Sequence, residues 1–266
     1  MKKLGIDVSS HQGTIDWVKV KKDKIDFAII RAGWSWYQGG LTIDEKFKFN
    51  IENAIHNGID VGIYVYSYDL SAEGAKISAK NLLEIIKPYK IEYPIFFDME
   101  YEKFNTTDGK GKINTDIVIS FLDEIENGGY YSGLYCSTDF MNNYLQENRL
   151  LKYEKWIADY RKTCGYIGDY AMWQYSSKGK IDGISTKVDL NYVYTDFPKI
   201  IREKGLNNLE VDTKDEISKD DEKPSNCKKY YLWVGGFETT EGIEKMKLVS
   251  QFLKSVNIYN EIKSVE

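Results

Sequence analysis

Cysteine, histidine and proline are scarce in this 266-residue chain, which holds three, two and four of them. Cys136, Cys164 and Cys227 are odd in number and far apart, so no disulfide framework is implied and synthesis in a reducing compartment is expected. With only His11 and His56, and no Cys-x-x-Cys, nothing has metal-ligand spacing. Neither zinc nor any other cofactor is expected. His11 lies beside Ser9 and Ser10, but no Gly-x-Ser-x-Gly elbow exists, and a turn histidine is the better reading. Neither a Gly-x-Gly-x-x-Gly nor a phosphate-cradling Gly-Lys-Ser/Thr loop occurs, which leaves nucleotide chemistry without support. No apolar run approaches the ~18 to 20 residues of a membrane span. Met1-Lys2-Lys3-Leu4-Gly5 leads straight into Ile6-Asp7-Val8 without the apolar stretch of a secretion signal, so none is expected. A strong basic patch is missing as well. Net charge is −5, which argues against nucleic acid as partner.

What is present describes a globular chain, 42% apolar and 29% charged. Its length suits a barrel of about 200 residues with a small appendage. Short apolar and β-branched runs predict strands at 4–8, 27–32, 60–66, 95–98, 132–136, 156–158, 170–175 and 188–191. Helical spacing joins Phe47, Ile51, Ala54 and Ile55, then Ala75, Ala79, Leu82, Leu83 and Ile86, with Ser71 as N-cap. A third helix carries Ile117, Phe121, Leu122 and Ile125 and stops at Gly128-Gly129. One more helical stretch covers 138–147, after which the strands are separated by loops. Strands alternating with helices predict an α/β fold, an irregular parallel (β/α) barrel with its helices reduced in the second half. Gly5-Ile6-Asp7-Val8 recurs as Gly58-Ile59-Asp60-Val61 without matching flanks, and reads as two strands of similar build.

Residues 206–227 hold seven acids, three lysines and Pro224, the composition of a flexible acidic linker. Beyond it, 228–266 reads as a small β-α-β unit, too small for a core of its own. The domain expectation is therefore a catalytic barrel at 1–205, a linker at 206–227 and a small binding or self-associating unit at 228–266.

Phe96-Phe97-Asp98-Met99-Glu100 ends an apolar run, and residues two apart on a strand share a face. Both carboxyls then project from the C-terminal mouth, where barrel active sites sit. Asp7 ends the first strand and Asp189, with Asn191 two residues on, lies on the last, and these strands become neighbours once a barrel closes. Four converging acids should raise the pKa of at least one and leave a protonated donor beside ionised partners. The chain is rich in tyrosine, with 21. Such rings often line clefts that hold the flat face of a sugar, although most are core residues.

Taken with their order and spacing, several motifs resemble glycoside hydrolase family 25, the Chalaropsis-type lysozymes common among bacteriophage endolysins. They are Gly5-Ile6-Asp7-Val8-Ser9-Ser10-His11-Gln12-Gly13, Phe27-Ala28-Ile29-Ile30-Arg31-Ala32, Gly62-Ile63-Tyr64-Val65-Tyr66-Ser67, Phe97-Asp98-Met99-Glu100, Met172-Trp173-Gln174-Tyr175 and Val188-Asp189-Leu190-Asn191. The resemblance spans roughly 4–197. It implies a distorted β/α barrel that cleaves the β-1,4 bond between N-acetylmuramic acid and N-acetylglucosamine in peptidoglycan. Glu100 is then the acid/base, Asp98 assists the substrate's acetamido group or stabilises charge, and Asp7 and Asp189 orient water and tune the pair. Tyr64, Tyr66, Arg31, Trp173 and Asn191 are the substrate-binding candidates. The tail resembles wall-binding units of clostridial phage endolysins, which implies a Gram-positive wall as partner and residence in the host cytoplasm until release; self-association through the tail is a further expectation. Two other readings remain at this point: an inactive barrel kept as a wall lectin, and another N-acetylhexosamine-directed glycosidase. A chitinase-like enzyme lacks support, because Phe96 occupies an acid position of Asp-x-x-Asp-x-Asp-x-Glu.

Overall fold

The computed structural model describes residues 2–101 and 111–211. Within them the strands are β1 Lys3–Val8, β2 Phe27–Ser35, β3 Leu41–Ile43, β4 Asp60–Tyr66, β5 Ile95–Asp98, β6 Ser132–Ser137, β7 Glu154–Ala158, β8 Met172–Gly179 and β9 Val188–Val193. All but β3 close into a barrel, since β1 pairs with both β2 and β9. From β1 to β8 the neighbouring barrel strands run parallel. The last strand, β9, is antiparallel to both of its neighbours. This corrects the expectation of an all-parallel ring. Only residues 180–187 separate β8 from β9, too short a span for the dozen or more residues of a crossover. The reversal also decides where chemistry sits. Asp189 is the second residue of its strand, a floor position in a parallel barrel, yet here it pairs directly with Asp7 near the end of β1.

The helices are α1 Trp17–Lys22, α2 Phe47–His56, α3 Ala72–Ile86, α4 Lys112–Asn127, α5 Thr138–Tyr144 and α6 Phe197–Glu203. The Ser71 hydroxyl caps α3 by accepting the Gly74 N–H at 3.1 Å. The glycine pair ends α4, with Gly129 at φ 84°. Among the described residues, no helix lies between β7 and β8 or between β8 and β9. None is long and apolar enough to cross a membrane.

Period-two alternation splits each strand between two layers. Ile6, Val8, Ala28, Ile30, Val61, Ile63, Ile95 and Phe97 face outward in the cluster that includes the helices' apolar residues, and Phe27, Ile29, Phe96, Tyr135, Trp156 and Met172 fill the barrel. Large side chains lie against glycine there: a Cβ on Gly133 would come within 2.6 Å of the Phe96 ring. The floor is plugged by Phe197, Ile201 and Leu209. Asn207 stitches this plug to the barrel, donating to the Ile91 and Tyr93 carbonyls at 3.0 and 2.9 Å and accepting the Tyr131 N–H at 2.7 Å. Asn208 donates to the Lys87 and Tyr89 carbonyls. Residues 206–209, expected to open a flexible linker, therefore belong to the barrel. The linker and tail at 212–227 and 228–266 lie outside the described residues.

The Gly-Ile-Asp-Val pair is out of phase. Asp7 sits near the upper end of β1, whereas Asp60 is the first residue of β4, at the opposite end of the barrel. The two segments are not strands of the same build.

Candidate active site

Inward positions at the upper ends of the strands form the mouth. β1 supplies Asp7, β4 supplies Tyr64 and Tyr66, β5 supplies Asp98, and Glu100 follows two residues later while Met99 turns into the outer core. From the other side come Tyr135 on β6, Gln174 on β8, and Asp189 and Asn191 on β9. Asp7 and Asp98 are buried, at 5% and 4% exposure, whereas Glu100 is exposed at the rim.

Donors of fixed direction define the buried half. The Trp156 indole can only donate, and it does so to Asn191 Oδ1 at 2.8 Å, which turns the Asn191 amide so that Nδ2 donates to Asp7 Oδ2, also at 2.8 Å. Tyr135 and Tyr160 both donate to Gln174 Oε1, at 2.9 and 2.8 Å, and Gln174 Nε2 donates to the same Asp7 Oδ2 at 2.9 Å. With two N–H groups on Oδ2, the proton of Asp7 belongs on Oδ1. The Asp7 and Asp189 carboxyls are hydrogen bonded to each other, which is how directly opposed acids coexist in adjacent strands. Burial, then the Asp189 charge, push the Asp7 carboxyl up to about 8, against the pull of the two amides.

The remaining acids shift the same way. Burial raises Asp98 well above the carboxylate range, helped by Glu100 and Asp7 and opposed by Arg31. Asp98 Oδ1 has no hydrogen-bond partner among the described residues. Glu100 is raised by the protein walls around it and then by the charge of Asp189. The field of Glu100 in turn acts on Tyr66, Tyr135 and Tyr160, whose hydroxyls are held protonated chiefly by burial. This is a set of carboxyls that cannot all ionise together, with the accessible member at the rim.

The expected residues separate into those the mouth gathers and those it does not. Asp7, Asp98, Glu100, Asp189, Tyr64 and Tyr66 come together. Arg31 is bound to Asp44, with Nε donating at 2.8 Å and a 2.7 Å ion pair, and it also donates to Ser10 Oγ at 3.1 Å. It reaches the acids as a charge that stabilises ionised Asp98. Asn191 is buried and spends its amide on Asp7 and Trp156, so it acts on the acids rather than on a ligand. Trp173 is not in the mouth. It neighbours the inward Gln174 on β8 and so faces out, where its indole donates to the Asp159 carbonyl at 2.7 Å and its ring meets Tyr175 and Tyr192. Ser9 and His11 form a turn in which Ser9 Oγ accepts the His11 backbone N–H at 3.2 Å, and Ser9 N–H donates to Gln12 Oε1 at 2.8 Å. Sequence reasoning missed Gln174, Trp156, Tyr135 and Tyr160. The available signal was a glutamine on a strand otherwise apolar on that face, which demands polar partners inside the barrel.

An accessible carboxyl with a raised pKa above buried acids, at the C-terminal mouth of a β/α barrel, is the arrangement of a glycoside hydrolase. Residues 6–184 match the family described as glycosyl hydrolases family 25, and the chain belongs to it. It is 28% identical over 189 residues to the autolytic lysozyme of Clostridium acetobutylicum, a match covering 70% of this chain and 54% of that protein. Among solved structures it is similar to the modular autolysin LytC of Streptococcus pneumoniae in complex with a synthetic peptidoglycan ligand, with TM-score 0.65, 28% identity, and 73% of this chain and 47% of that one covered. The CTP1L endolysin aligns with TM-score 0.64 and 26% identity over 75% of this chain and 69% of its own. The chain thus spans about half the length of the first two relatives.

Proposed function

We propose that the barrel is a peptidoglycan hydrolase of the N-acetylmuramidase kind, cleaving the β-1,4 bond between N-acetylmuramic acid and N-acetylglucosamine. The observation that carries this reading is Glu100, exposed at the rim with a raised pKa, two residues beyond Asp98, whose buried Oδ1 has no hydrogen-bond partner among the described residues. In this reading the Glu100 proton passes to the leaving O4 as the C1–O bond breaks. The 2-acetamido carbonyl oxygen closes on C1, and its N–H lies against Asp98 Oδ1, supplying the missing donor and favouring the ionised form of Asp98. Water then opens the ring intermediate and gives its proton to Glu100, which restores the acid with net retention. Asp7 and Asp189 share a proton beneath and set the charge that Glu100 feels. Tyr64 and Tyr66 line the wall of the mouth.

Likeness to an autolytic lysozyme, to an autolysin solved with a peptidoglycan ligand and to an endolysin supports the substrate class. Likeness to the CTP1L endolysin supports an endolysin role, and a phage origin with release from a Gram-positive host is part of the same proposal. Under that reading residues 228–266 bind the wall. Glu100→Gln tests the acid. Clearing of purified walls should fall ~10²- to 10⁴-fold with folding intact, because an amide cannot give up the proton. Activity within a few-fold of wild type removes the assignment. Muramyl glycan stripped of its N-acetyl groups should be nearly inert, and ordinary cleavage of it refutes participation of the acetamide.

A further inference from the structure

The hairpin between β2 and β3 carries two large rings into water: Trp36 is 50% and Tyr37 41% exposed. Exposed aromatic residues at a hairpin tip are an open binding surface when the tip is rigid and a loose end when it is not. This tip is held from several sides. Leu70 N–H donates to the Tyr37 carbonyl at 3.1 Å, Tyr68 N–H donates to Ser35 Oγ at 3.0 Å, and the Trp36 indole donates to Thr42 Oγ1 at 2.8 Å. Beneath, the Ser78 hydroxyl lies 2.9 Å from the buried carboxyl of Asp69 and 3.2 Å from the Gly40 carbonyl, tying α3 to the hairpin. Gly39, at φ +96°, packs so closely on α3 that a Cβ would come within 2.8 Å of the Gly74 carbonyl oxygen.

The rings also lead somewhere. Trp36 lies 6.4 Å from Tyr68, Tyr37 stacks near Tyr101 at 6.2 Å, and Tyr68 is 4.9 Å from Tyr66. Tyr66 feels the charge of Glu100 and Asp98, and Tyr101 follows Glu100 in the chain. A continuous aromatic surface therefore runs from the acids to the hairpin tip.

We propose that Trp36 and Tyr37 form a saccharide subsite, a platform for a hexopyranose ring of the glycan strand beyond the two sugars that flank the cleaved bond. The inference rests on the glycosidase reading of the mouth. The apolar C–H face of a pyranose matches these rings, and the serine and aspartate clasp orients them before the sugar arrives, so little ordering accompanies binding. Tyr68 and Tyr101 bridge the platform to the catalytic pair.

Two measurements on the full chain test the platform. The first compares Trp36→Ala and Tyr37→Ala with wild type on long glycan strands and on a short aryl glycoside that spans only the cleaved bond. The ratio of kcat/KM on the long substrate to that on the short one should fall on the order of 10-fold for each ring, and Trp36→Phe should recover most of it. An unchanged ratio, including an equal loss on both substrates, overturns the platform. The second uses Glu100→Gln as an inert host and measures binding of soluble N-acetylhexosamine oligomers of increasing length by calorimetry. Affinity should rise with length, and adding Trp36→Ala should flatten the rise; a slope indifferent to Trp36 overturns the proposal. Should Glu100→Gln stay active, the acid assignment fails, while the length dependence of binding still judges the platform by itself.

Discussion

Replacing Asp7 by asparagine keeps the shape of the buried network and removes its proton. The asparagine carbonyl can accept from Gln174 and Asn191 as Asp7 Oδ2 does, while its amide can donate to Asp189 in place of the acidic proton. What disappears is a titration. The Asp7 carboxyl moves from the ordinary 3.8 to about 8 on folding. Between those values the folded state holds more protons than the unfolded one, so ionising this group destabilises the fold by an amount that is absent below that window and grows as pH rises through it. At about pH 7.5 the wild-type penalty has an upper bound of roughly 5 kcal/mol, at ~1.4 kcal/mol per unit. Relaxation around Asp189 and water entry reduce it, and we expect Asp7→Asn to gain on the order of 2 kcal/mol, or ~4 to 8 °C in the melting temperature of a barrel this size. Calorimetry of the full chain at about pH 7.5 and about pH 4.5 reads the difference. The gain should be present at the higher pH and nearly gone at the lower one, while wall-clearing activity drops. A variant that melts below wild type by the same margin at both values refutes the shared proton.

Because the Asp189 charge is the second cause holding Glu100 up, Asp189→Asn should move the alkaline limb of the pH–rate profile to lower pH; an unmoved limb detaches the two residues. Trp173→Phe removes an outward hydrogen bond and should lower stability by ~1 to 2 kcal/mol, with wall clearing within a few-fold of wild type; a loss as deep as that of Glu100→Gln returns Trp173 to the mouth. A chain ended after Val211 should be monomeric by light scattering and bind walls more weakly than full-length protein. Identical mass per chain and identical wall retention in both refute assembly through the tail.

The strands that carry the acids were the most legible part of the sequence. β4 and β5 fall on the expected residues, 60–66 and 95–98, because each carries an unbroken apolar outward face, Val61, Ile63 and Val65 on one and Ile95 and Phe97 on the other. The three-residue β3 and the six-residue α1 are too short to show a period, and in the seven-residue α6 the apolar stripe is confined to Phe197, Ile200 and Ile201, with a proline at its start. Site residues followed a parity rule applied incompletely. Once Gln174 faces Asp7, its neighbour Trp173 must face out, and both cannot serve the mouth. Gln174 escaped notice because its partner lies 167 residues away in sequence, beyond what any local pattern encodes. The direction of β9 was not legible, because the predicted strands leave residues 176–187 between them, long enough for a crossover; β8 runs on to Gly179 and shortens the link to a hairpin, and it is this direction that gives Asp189 its place.

Closing the ring with a hairpin rather than a crossover has a consequence for how such a barrel can vary. The barrel and its floor are complete between Lys3 and Leu209, against the ~250 residues typical of an eight-fold barrel, and the saving falls where a last helix would lie. Without that helix the outer faces of β8 and β9 shelter themselves: Tyr175 and Tyr192 stack at 4.2 Å, and the Lys2 ammonium lies 3.1 Å above the Tyr192 ring. Residues 180–187 turn on the same side of the barrel as the acids, with no crossover helix whose register must be kept. The turn is docked on α1, where the Asp16 N–H donates to the Gly183 carbonyl at 2.9 Å and the Asp182 N–H to Asp23 Oδ2 at 3.0 Å, so variation in its length is restrained by the helix it rests on.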